Sequence, residues 1–259
     1  MVKISRLESF GIQPASAAVL QHAEHNRLES EEFFEKAATA LGALEGIVRE
    51  DVVNNLNEYY GRWHPSGFMV YPLGTHPELG GLRLHVWPEG FRQRELKGLG
   101  KLDDQEICDG DIHNHSWHIA SRVLGGEYSD TMYDVRNTEV DPGSLSDEEV
   151  AAAGLWHVFQ VKYRTTARPE GLHPTGRYVS ADIISNRQVD AGETHIIEAG
   201  PFHAPTIPEH RLGATLVFNS FRVIPEGPDI LVAGSSMPII GNRVDVSAEE
   251  AVEVRSQLK

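Results

Sequence analysis

At 259 residues with 40% hydrophobic content, the chain can form one large β-rich domain with additions, or two small domains. A formal charge of −15 disfavours DNA, RNA and anionic membrane surfaces, all of which call for clustered Lys and Arg. The single cysteine, Cys108, excludes an internal disulfide, and no apolar stretch has the length of a membrane span or the form of a signal peptide, so a soluble, cytoplasmic protein is expected.

The first sixty residues carry a helical pattern. From Phe34 the apolar positions recur as Ala37/Ala38, Leu41, Leu44, Ile47/Val48, Val52, Leu56 and Tyr59/Tyr60, a spacing of three and four. Glu31, Glu32, Glu35, Glu50 and Asp51 fall mostly off that stripe, which suits a helix packed on a sheet. Gly42 and Gly46 leave open whether this is one helix or two shorter ones. From about Phe68 the period changes to two. Leu82, Leu84 and Val86 alternate with their neighbours up to the turn signal Pro88-Glu89-Gly90. Leu155 to Tyr163, Tyr178 to Ile184 and Ala214 to Val223 have the same strand character. Between the strands, 141–154 is an insertion with a short helix capped by Ser146 and Glu149. Ser247 and Glu250 repeat that capping box and open a last helix. Many short strands with Gly/Pro punctuation predict a mostly β sandwich or small barrel. The simplest division is a helical extension over 1–66, a β domain over 67–246 and a C-terminal helix over 247–259.

The chemistry concentrates in Asp111-Ile112-His113-Asn114-His115-Ser116-Trp117-His118. Residues two apart on an extended strand share a face, so His113 and His115 can offer two imidazole nitrogens to one metal ion. If a strand over Ile112–Val123 lines the interior, His113, His115, Trp117 and Ile119 face inward, while Asn114, Ser116 and His118 face away. His203 follows Gly200-Pro201, where a tight turn can aim it at the first pair. Candidate groups around such a centre are Glu127, Tyr128, Tyr133, Glu193, His195 and His210, with Glu193 and His195 placed to share one strand face as acid and base. Arg122, Arg164 and Arg177 are candidates for clamping a substrate carboxylate, against the plainer expectation of exposed strand arginines. The remaining histidines, including His64, His85 and His157, are expected to be structural or exposed.

Gly110-Asp111-Ile112-His113-x-His115, then Gly126, Gly192 and Glu198-x-Gly200-x-x-His203, resembles the two motifs of the cupin superfamily over roughly Leu82 to Val223. The resemblance implies a double-stranded β-helix, a jelly roll whose mouth holds a metal, and commonly a homodimer paired through sheet edges. Most metal-binding cupins add a carboxylate, and the matching position here is Ile119. Three histidines without it resemble the cysteine dioxygenase branch. The Ser, His and Tyr relay of that branch has no counterpart, since Leu216, Phe218 and Ser220 occupy the stretch.

Three neutral ligands leave a divalent metal's charge uncompensated, which favours an anionic, chelating small-molecule substrate. Iron(II) with open cis positions lets substrate and O2 bind side by side. Zinc, nickel or manganese would instead polarise a carbonyl or activate water. The expected function is an iron(II)-dependent oxygenase acting on a small polar or carboxylate-bearing metabolite. The alternatives are an O2-independent isomerase, epimerase or lyase, and a non-catalytic binding cupin.

Overall fold

The alternating segment Leu82 to Trp87 is a strand whose two faces serve different layers. A computed structural model describes residues 5–13, 28–64, 67–89, 112–141, 144–162, 171–208, 211–233, 236–237, 239–240 and 244–258. Cys108, His210 and Arg164 lie outside the described residues. Among the described residues the strands are β1 (Arg62–Trp63), β2 (Met69–His76), β3 (Gly80–Trp87), β4 (Ile119–Gly125), β5 (Tyr128–Asn137) and β6 (Trp156–Lys162). They continue with β7 (Gly171–Val189), β8 (Thr194–Ile197), β9 (Phe202–Thr206), β10 (Gly213–Asn219), β11 (Asp229–Val232) and β12 (Ile239–Ile240). The first sheet is ordered β1-β2-β3-β10-β4-β8. The second is ordered β11-β6-β7-β5-β9, with β12 paired to β7. The fold is mostly β, built on two antiparallel sheets. The fourfold strand expectation holds in outline, but Tyr178 to Ile184 is only part of the much longer β7, and Ala214 to Val223 stops at Asn219.

The helices are α1 (Ser5–Glu8), α2 (Ser30–Ile47), α3 (Asp147–Ala152) and α4 (Ala248–Gln257). α2 runs on through a π turn at Val48–Val52 and a 3-10 turn at Val53–Glu58. Gly42 and Gly46 do not divide it, because both lie on the exposed side with nothing within 4 Å of a would-be Cβ. The change of winding keeps Leu41, Leu44, Val48, Val52 and Leu56 all fully buried along one stripe. Both expected capping boxes are formed, by Ser146 with Glu149 and by Ser247 with Glu250. No helix among the described residues is long and apolar enough to cross a membrane.

Strand register divides the first sheet's faces. Leu82, Leu84 and Val86 lie opposite Phe218, Leu216 and Ala214. Together with Ala120 and Leu124 they form a core against Phe33, Ala37, Leu41, Leu44 and Val48 of the helical layer. Each such leucine, fully buried, contributes about 1.5–3 kcal/mol. On the opposite face His85 pairs with Thr215 and Arg83 with Val217, while Ser121 lies between Val217 and His195. This inner face meets the second sheet where Val123 packs with Tyr128, Val189 and Ile207. The largest apolar core therefore lies between helices and sheet, while the space between the sheets mixes buried polar side chains with smaller apolar clusters.

A partly buried ion pair joins α2 to β4. Arg122 Nε donates to Glu45 Oε2 at 2.6 Å, and Arg49 reaches both Glu45 and the Leu124 carbonyl. Arg122 thus faces the helix and is not aimed at the inter-sheet space. Arg177 pairs instead with Asp229 at 2.6 Å. Burial pushes the Glu45 carboxyl up, but hydrogen bonds from Arg122 and Arg49 outweigh it and hold it below its ordinary value of 4.5. A depressed folded-state pKa gives stability that is present above the unfolded value and lost as pH falls through the folded one. Glu45→Gln should cost on the order of 1 kcal/mol in urea unfolding at neutral pH. The gap to the parent should narrow as pH falls below 4.5. A gap that is constant with pH would show that the carboxylate charge plays no part.

Candidate metal centre

His113 does not sit on a regular strand. The strand expected over Ile112–Val123 is broken by a bend at Ser116–Trp117, and regular pairing begins only at Ile119. Backbone bonds hold the preceding segment instead. His113 N donates to the His203 carbonyl at 2.9 Å, and His203 N returns a bond to the His113 carbonyl at 2.8 Å. On the other side Leu231 N donates to the Ile112 carbonyl at 2.8 Å. His113 therefore bridges β9 and β11, the two outer strands of the second sheet. Asn114, facing the other way, accepts from Asp229 N through its side-chain oxygen at 2.7 Å. Gly200, with φ of 106°, donates its N–H to the His115 carbonyl at 3.0 Å. That left-handed conformation suits glycine and lets the chain turn so that His203 follows three residues later.

This backbone framework brings His113, His115 and His203 together, with ligand nitrogens all within 4.8 Å of one another. The ring centroids lie 4.7, 4.6 and 5.0 Å apart, and His115 Nε2 is 3.0 Å from His203 Nε2. Metal–nitrogen bonds of about 2.0–2.1 Å require nitrogens about 3.0–3.4 Å apart, a spacing the His115–His203 pair already has. No other group of three potential ligands occurs among the described residues. His118 faces the helical layer, where it packs on Phe34 at 5.4 Å and accepts from Ala199 N at 3.1 Å. Trp117 packs with Ile119, Ile197 and Val217.

Behind His203 lies a residue the sequence reading did not single out. Asp130, 1% exposed on β5, accepts from His203 Nδ1 at 2.8 Å and from His195 Nε2 at 2.7 Å. Burial raises the Asp130 carboxyl, but the hydrogen bonds from His195 and His203 outweigh it and bring it down to about 2. The charged carboxylate places the His203 proton on Nδ1 and turns the Nε2 lone pair toward His115. Burial, then the neighbouring His113, His203, His64 and His85, hold His115 well below its ordinary value, so it stays neutral and able to ligate. The donor set fits a late first-row divalent ion: three neutral nitrogens, one of them oriented by a buried carboxylate.

The other candidates separate. His195 is buried and tied to the site through Asp130. Tyr128 packs 5.9 Å from the His195 ring, and burial followed by the Asp130 charge pushes its phenol well up, so it keeps its proton. Tyr133 lies with Val135, Phe202 and Ala204 in a separate apolar cluster. Glu127 is half-exposed and pairs with Arg211. Glu193 does not share a strand face with His195. It is exposed just before β8, accepting from Asp190 N at 3.3 Å, where Gly192 and Glu193 both bond to the Val123 backbone and break the regular register. The carboxylate beside His195 is that of Asp130, not Glu193. Its signal in the sequence was a carboxylate two residues after Tyr128, on the face a period of two assigns to the interior.

Removing Asp130's charge while keeping its shape tests this arrangement. Asp130→Asn should weaken metal binding by about 10–100-fold in chelator competition, with the fold retained by circular dichroism. Unchanged affinity would mean that His203 needs no orienting carboxylate. Comparison with known proteins gives this constellation no family: no family model and no curated protein matches the chain.

Proposed function

We propose that the chain is a cupin-type jelly roll that holds iron(II) on His113, His115 and His203 and oxidises a small polar or carboxylate-bearing metabolite with O2. The observation that carries the proposal is three converging imidazoles with the Asp130 carboxylate oriented behind His203. Two face-to-face antiparallel sheets, with a histidine segment joining the outer strands of one of them, support the jelly-roll assignment. Iron(II) in this position would supply adjacent coordination sites for a chelating anion and for O2, with no ligand carboxylate offsetting its charge.

The chain's own groups would prepare that chemistry. Asp130 holds the His203 proton away from the ligand nitrogen. Burial keeps His115 neutral, and Trp117 with Ile119, Ile197 and Val217 limits water on one side. Tyr128 retains its phenolic proton beside His195. An O2-independent isomerase or lyase is favoured by one specific feature: the buried Nδ1 of His195 has no partner among the described residues, as a proton-transferring base would require.

Metal analysis of untagged protein should find about one equivalent of iron, with little in His203→Ala. The iron-loaded parent should consume O2 with a carboxylate substrate, and His203→Ala should lose at least a hundredfold. Zinc or nickel at that stoichiometry, with no O2 uptake, would replace the oxygenase by the isomerase or lyase. No metal after reconstitution would leave a binding module.

A further inference from the structure

The inner face of the first sheet carries polar atoms that the metal centre does not use. Thr215 Oγ1, Asn219 Oδ1, His85 Nε2 and His195 Nδ1 are all buried without a hydrogen-bond partner among the described residues, as is Trp117 Nε1. Thr215, Asn219 and His195 are themselves only 1%, 6% and 5% exposed. Strand register puts the first four on one face. Thr215 lies directly opposite His85 on β3, and Asn219 lies four residues along the same strand as Thr215. His195 pairs with Ser121, which lies opposite Val217 between them. Buried polar groups find partners in nearly all native proteins, so such a concentration calls for a polar occupant.

The same face is tied to the metal centre at two points. His195 reaches His203 through Asp130, and the Trp117 ring lies 5.8 Å from that of His115. The chemistry of the atoms narrows the occupant. In the neutral tautomer that donates Nε2–H to Asp130, His195 presents Nδ1 as an acceptor, and Asn219 Oδ1 is another. A carboxylate alone cannot satisfy acceptors. A hydroxyl can, and it can also accept from Thr215 or Trp117.

We infer that the face formed by Thr215, His85, Asn219 and His195 is the specificity wall of the metal centre, and that it selects a hydroxyl-bearing acid over its deoxy counterpart. This rests on the metal-centre reading and adds the substrate's chemical class.

The test uses cobalt(II)-loaded full-length protein and two four-carbon acids, 3,4-dihydroxybutanoate and butanoate, followed by calorimetry and cobalt absorption. The parent should bind the dihydroxy acid at least tenfold more tightly. Thr215→Val should cut that preference at least threefold, and Thr215→Val with His85→Phe should abolish it, with butanoate affinity within twofold of the parent. Thr215→Ser, which keeps the hydroxyl, should keep the preference, and the single Val variant decides the matter if the double variant fails to fold. Equal binding of the two acids by the parent, or a preference unchanged in Thr215→Val, would overturn the inference while leaving the metal centre standing. Failure of the parent to take up cobalt(II) is a separate result that removes the metal centre and this wall's role with it.

Discussion

The carboxylate of Asp130 is the constraint on which the interior depends. It is buried and charged, and it is compensated by two N–H donors from rings on different sheets: His203 from β9 and His195 from β8. A charge so placed is tolerated only when its partners are held in position, and loss of one partner leaves it uncompensated. The spacing between the sheets, the tautomer of His203 and the direction of its free nitrogen are therefore coupled. The narrow backbone pairing of His113 with His203 supplies the rest, since it fixes two of the three rings relative to each other before any ion is bound.

A polar interior demands an apolar core elsewhere. The first sheet buries its leucines, Leu82, Leu84 and Leu216, on the outer side against α2 and its wound continuation. α4 packs over the 3-10 turn, where Arg255 reaches the Asn54 carbonyl at 3.1 Å. The helical layer thus carries the largest apolar core, beside the smaller clusters that remain between the sheets. In this arrangement the space between the sheets can carry histidines, a buried aspartate and hydroxyl groups at tolerable cost to stability, because the hydrophobic contribution comes from the other face.

Much of this was legible in the residues. The spacing of Leu41, Leu44, Val48, Val52 and Leu56 announced a packed helix, and the two Ser-x-x-Glu pairs announced both later helix starts. The grouping of His113, His115 and His203 was also readable, since a two-residue spacing and a Gly-Pro turn are local signals. What the sequence concealed depended on distant pairing. The bend at Ser116–Trp117 follows from tertiary bonds, such as those from Val223 and Ile224 to the Ser116 carbonyl, which no local period encodes. The choice of Asp130 over Glu193 likewise required knowing which strand faces β8. Glu193, two residues from His195, was near it in sequence, whereas Asp130 was near it in space.

The central claim is that three imidazoles from two separated segments share one ion. X-ray absorption at the metal edge of the reconstituted protein measures this directly, because imidazole rings give multiple scattering that oxygen ligands do not. The account predicts three imidazole nitrogens at about 2.0–2.1 Å in the parent and two in His203→Ala. A parent spectrum with one imidazole or none, or one unchanged by His203→Ala, would contradict it.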